Sequence, residues 1–206
     1  MNQQIIKRAL ARKRGVFVVA SLLAGSAAQT VSAADYIWTR GGGNNNWDTA
    51  LNWTPGAPNV TPVAGDTTNI IYAGTPIAAS TTSAMRQAYT IDSLRFASDF
   101  TPNTPPATFN LSTQSTLLAG ATNANLTIGA GGITSDVTTF NITITKNNAV
   151  PEASLIVSAD QTWATNAPAA SAGAITFTVN RVVSGPGRIT KSGTGVLVVG
   201  NTLAND

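Results

Sequence analysis

A chain of 206 residues with no cysteine and no histidine must hold its fold without disulfides, and it lacks both the usual general base and the commonest transition-metal ligand. Only 10% of its residues are charged, and five of the 12 basic ones precede Gly15, so the part after residue 34 carries seven basic residues against nine acidic ones, a formal charge of −2. The sequence pI of 9.6 therefore belongs to the start of the chain, and it gives no support to nucleic-acid or anionic-membrane binding, which need Lys and Arg clustered on one face.

Residues 1–34 have the three regions of a secretory signal peptide. Lys7, Arg8, Arg12, Lys13 and Arg14 form the positive region, Val16 to Ala24 the apolar region, and Val31-Ser32-Ala33 or Ser32-Ala33-Ala34 a small-residue cleavage site. Roughly ten apolar residues span about 15 Å as a helix, half of a ~30 Å hydrocarbon core, so this is a leader and not an anchor. What remains, 206 less 34 or 172 residues, is long enough to bury a substantial core.

Residues 35–80 are rich in Trp, Asn, Gly and Pro, with Trp38, Trp47 and Trp53 close together. We read this stretch as a cap, large rings held by Gly-Asn turns over an otherwise exposed hydrophobic end. The alternative is a carbohydrate-binding platform in which Trp38, Trp47 and Trp53 stack on sugar faces and Asn44, Asn45, Asn46 and Asp48 supply hydrogen bonds. Asp48 and Asp66 do not form a calcium loop, since no D-x-D-x-D-G spacing is present.

From residue 81 to 206 short apolar alternations separated by polar turns predict strands, with no apolar period of 3.6. They are Tyr89 to Phe96, Ala107 to Leu111, Leu126 to Ile128, Phe140 to Thr145, Leu155 to Val157, Ile175 to Val179, Arg188 to Thr190 and Val196 to Val199. Thr101 to Pro106 is a loop or a bulge, because its prolines fix φ and lack N–H donors; Ser83 to Ala88 is the one place for a short helical turn. Strand starts at 126, 142, 155, 175 and 196 suggest single faces of longer rungs at first, then one solenoid turn for each of the last two intervals. Asn125, Asn141, Asn166, Asn180 and Asn201 fall near strand ends, placed for side-chain ladders between rungs.

The segment 184–205 is the most informative. Gly185, Gly187, Gly193, Gly195 and Gly200 punctuate two stiff, extended runs, Ile189 to Lys191 and Val196 to Val199, as the turns and strands of a solenoid require. The run Gly187, Ile189, Thr190, Lys191, Gly193, Gly195, Leu197, Gly200, Asn201 resembles the autotransporter-associated β-strand repeat, roughly G-x-L-T-K-x-G-x-G-T-L-x-L-x-G-x-N-T. Ile189, Val196 and Val198 depart from it within the aliphatic class, Asn201-Thr202 comes one residue early, and Leu203 replaces the usual aromatic. Trp47, Asn52, Trp53, Pro58, Gly65 and Asp66 resemble the opening of such proteins, and Leu126 to Ile133, Gln161 to Trp163 and Thr176 to Asn180 resemble segments that precede the repeat.

That resemblance implies a right-handed parallel β-helix, exported to or beyond the outer membrane, without enzymatic activity. The expectation is an all-β, incomplete solenoid behind a cleaved signal peptide, located extracellularly or on the cell surface, serving as a structural, adhesion-related passenger or stalk. Ending at Asp206, where the family begins its next strand, the chain reads as the N-terminal part of a longer protein. Its expected partners are further β-helix repeats or a C-terminal translocator, with surface polysaccharide as a further candidate; no nucleic acid, cofactor or membrane span of the mature chain is expected. No catalytic or metal-binding residues are assigned. A polysaccharide-degrading alternative would use Asp160 with Arg181, Arg188 and Lys191, but it lacks the paired carboxyl groups such chemistry needs.

Overall fold

The structure, a computed structural model, describes residues 34–54, 67–78, 80–102, 108–146, 153–167 and 175–200. Residues 1–33 of the expected leader, Pro58, Gly65 and Asp66, residues 103–107 of the proline loop and its border, Glu152, and the end from Asn201 onward lie outside the described residues.

Among the described residues the protein is all-β, with fourteen strands and one 3-10 turn, Ala50–Asn52. The chain opens with β1 (Ala34–Trp38), returns antiparallel as β2 (Trp53–Thr54) and enters β3 (Thr68–Tyr72) on the other side of β1. It then starts a second sheet with β4 (Thr82–Met85). Each later visit repeats that move. β5 (Tyr89–Phe96) leads to β6 (Thr108–Thr113), and β7 (Leu126–Ser135) to β8 (Asn141–Thr145). β9 (Leu155–Val157) and β10 (Gln161–Thr165) lead to β11 (Thr176–Asn180), and β12 (Val183–Ser184) and β13 (Ile189–Ser192) to β14 (Val196–Val199).

Among the described strands only β1 and β2 pair antiparallel; every other pairing is parallel. Parallel neighbours need a long crossover, and here the crossover is the excursion to the other sheet. The five-stranded sheet runs β4, β6, β8, β11, β14 in chain order. In the nine-stranded sheet β5 and β7 turn a corner together, with a register shift between Ile91 and Ser93; beyond it the first half of β7 pairs with β9 and the second half with β10.

Alternation explains which residues form these ladders. The burial of β8 and β11 switches at each position, with Ile142, Ile144, Phe177 and Val179 buried between half-buried Asn and Thr, the pattern of a strand with one face on a core. Parallel in-register pairing then stacks like positions: Phe109, Ile142, Phe177 and Leu197 form one inward column. In the other sheet Ile70, Leu94, Ile133 and Trp163 form another. Aromatic rings bridge the two sheets. Tyr72 stacks on Phe96 at 4.8 Å, and both meet Phe109 edge-on at 5.4 and 6.3 Å; Phe96 reaches Phe177, and Phe100 links Phe109 to Phe140.

Three sequence expectations are corrected. Ser83 to Ala88 does not open as a helical turn: Ser83, Ala84 and Met85 are buried in β4, which pairs with β6 and, through Ala84, with Asn46, so pairing and burial override local propensity. Of the two long intervals read as full turns, only the last separates neighbours, β11 and β14; the other leads from β9 in one sheet to β11 in the second. The described asparagines do not stack on one another. Asn125 Oδ1 accepts the Ser154 N–H at 2.8 Å and Asn141 Oδ1 the Thr176 N–H at 2.9 Å, while the side-chain ladder that does form is Asp35, Asn69, Ser93.

Removing the ring at Phe96, which touches three other rings, is expected to cost about 3–5 kcal/mol in Phe96→Ala. Gly187→Ala should also lower the melting temperature, because a Cβ there meets the Ala159 carbonyl oxygen. Ile77→Ser, at a side chain 75% exposed, should leave the denaturation midpoint unchanged. Chemical denaturation of the three variants checks all of this.

Candidate functional site

The tryptophan-rich corner contains the largest concentration of side chains singled out by the sequence. Trp38 ends β1, Trp53 begins β2, and Trp47 lies in the turn between them, held by two backbone hydrogen bonds between Asn45 or Trp47 and Ala84 of β4. Asn52, fully buried, organises that turn. Its Oδ1 accepts the Gly42 N–H at 2.9 Å, and its Nδ2 donates to Asn44 Oδ1 and to the Asn46 carbonyl. A Cβ at Gly42 would lie 2.5 Å from Thr49 Cγ2 and 3.0 Å from Asn52 Oδ1, so a larger residue would displace one of these side chains.

The indoles face inward. Trp38, Trp47 and Trp53 are 1%, 0% and 2% exposed, and they pack edge to face, Trp38 on Trp53 at 4.9 Å and Trp53 on Trp47 at 5.4 Å. A coplanar sugar-stacking platform is therefore not formed. Asn44, Asn45 and Asn46 are not poised for a sugar either: Asn44 Oδ1 accepts from Asn46 and Asn52, Asn45 bonds Arg40, Ser80 and Thr82, and Asn46 Oδ1 accepts from Gln114. Asp48 pairs with Arg86 at 3.1 Å.

Beneath the corner lies a buried polar triad that the sequence reading missed. Trp47 Nε1 donates to Ser83 Oγ at 2.8 Å and to Tyr72 OH at 3.0 Å, while Tyr72 OH donates to Ser83 Oγ at 2.7 Å. Burial holds the Tyr72 hydroxyl well above the usual phenol range, and the bonds to Ser83 and Trp47 oppose this only in part. Tyr89, edge-on to Trp47 at 5.1 Å, is pushed up by burial and then by the Asp48 charge, which the nearby Gln87 side chain and Arg86 oppose only in part; no group among the described residues meets its hydroxyl in good hydrogen-bond geometry. The Trp38 indole nitrogen is likewise unpartnered among them. The alternating run Thr68 to Tyr72 was the available signal for Tyr72.

The residues considered for polysaccharide degradation do not converge. Asp160 Oδ1 accepts the Arg188 N–H at 2.8 Å, and the exposed Arg188 guanidinium lies 4.0 Å from the same carboxylate. Lys191 occupies the register position opposite Trp163 and donates to the Gly193 carbonyl. Arg181 is wholly buried elsewhere, donating to the carbonyls of Thr145 and Ala124, and burial lowers its guanidinium from its ordinary strongly basic range to about 9.

The repeat-motif residues are structural in their contacts. The Gly187 N–H donates to the Val157 carbonyl, Gly195 to Thr165 and Gly200 to Val179, each onto the preceding pass of the chain. Ile189 and Thr190 pair with Gln161 and Thr162, Leu197 with Phe177, and Gly193 lies against Asn166 and the Thr165 carbonyl. Asn201 is outside the described residues. Two surface concavities add no ionisable groups: one of about 410 Å³ lined by Gln87, Ala88 and residues 119–123, and one of about 180 Å³ beside Phe140. Among the described residues no set of acidic side chains is grouped as a metal site.

Fold and site together define an all-β protein whose described contacts at these positions build structure. No family model matches the chain, and neither a curated protein nor a solved structure matches it. Among the described residues no helix is long and apolar enough to cross a membrane.

Tyr72→Phe, which removes one acceptor of the Trp47 N–H and the donor to Ser83, should cost about 1–3 kcal/mol, whereas Tyr89→Phe, which removes an unpartnered hydroxyl, should be neutral or stabilising. Both tyrosines are held above their unfolded pKa, so the stability they carry is complete below about pH 10 and falls as the pH rises through that value. Arg181 has the opposite sign: its cost is complete below about pH 9 and is relieved above it. Two tyrosines against one arginine give a net loss above pH ~10, and thermal melts across the alkaline range should show a shallower loss in Tyr89→Phe.

Proposed function

We propose that this chain is an exported, non-catalytic structural segment of a bacterial surface protein, a right-handed parallel β-helix stalk whose first turn is closed by the tryptophan corner. The observation that carries this reading is that both sheets grow by parallel addition in chain order, each visit to one sheet followed by a visit to the other. A solenoid built in this way buries its hydrophobic faces only between neighbouring rungs, and its ends need covering.

The two ends differ as a stalk with one cap should. At the start, the outer edge of β1 is taken by β2 and that of β4 by Asn46, with three buried indoles behind them. At the other end β13 and β14 have a partner on one side only among the described strands, and Val196, Val198 and Val199 are 37–41% exposed. Such edges suit further repeats or a translocator domain in a longer parent protein, and a surface-displayed stalk of this kind serves adhesion.

Export is tested by expressing the full chain in a Gram-negative host and sequencing the N-terminus of the material recovered outside the cytoplasm. The expected start is Ala34, cleavage after Ala33, because the Ala34 N–H donates to the Thr67 carbonyl at 2.7 Å and Ala34 pairs with Thr68 in the first ladder. Uncleaved protein confined to the cytoplasm would sink the export reading.

A further inference from the structure

We draw no further inference here: the strongest candidate, the wholly buried Arg181 guanidinium between the Thr145 and Ala124 carbonyls, whose Nη2 meets no acceptor among the described residues, is closed off from any ligand, and nothing in the structure shows what would answer its charge.

Discussion

The parallel ladder is the constraint from which the rest of this structure follows. Apart from the short β1 and β2 pair, no described strand pairs with the described strand next to it in sequence; β5 waits for β7, and β8 for β11. Each strand is therefore ordered at an entropic cost that its local contacts do not offset, and the compensation comes from the next pass of the chain. Register must then be kept, because a slip of one residue would turn the Phe109, Ile142, Phe177, Leu197 column out into solvent and bring threonines into the core. The glycines of 184–205 serve that requirement. Gly187, Gly193 and Gly195 let the last turns lie against the Ala159 and Thr165 carbonyls of the preceding pass.

The same constraint explains the tryptophan corner. A ladder has a first strand, whose outer face and edge have no earlier strand to meet. β2, Asn46 and three indoles occupy those positions, and the indoles reach the rest of the core through Tyr72 and Tyr89. The Trp47, Tyr72, Ser83 triad joins the two sheets at the corner with directional bonds where the aromatic contacts alone would allow rotation. A ring used in this way has no face left for a ligand.

Strands with plain alternation were legible in the sequence: Tyr89 to Phe96, Leu155 to Val157 and Val196 to Val199 have the expected bounds. The reading failed where tertiary pairing decides the outcome. β4, TSAM, has little β-propensity of its own and is extended because β6 and Asn46 hold it. The candidate strand beginning at Leu126 stopped at Ile128, yet β7 runs on to Ser135, with residues 129–131 bulging opposite Asp92 and the Gly131 N–H donating to its carboxylate. The tryptophans were recognised as a cluster, but spacing alone does not say which way a ring points; that is decided by partners such as Ser83, thirty-six residues from Trp47. Arg181 is the clearest miss, since nothing in a run of Val, Asn, Arg and Val marks the arginine as buried.

Stacking of like positions also governs the surface. An outward charge in a parallel ladder faces the residue in the same position of the next strand at roughly 4.8 Å, and two like charges at that distance are destabilising. The first sheet meets this by placing neutral or opposite groups beside its charges: Asn69 donates to Asp35 and in turn accepts from Ser93, and Arg95 reaches Asp136, which also accepts from Asn166. The second sheet meets it by omission. Threonine, asparagine and serine fill the outward columns without repulsion, and β-branching favours the extended backbone at the same positions.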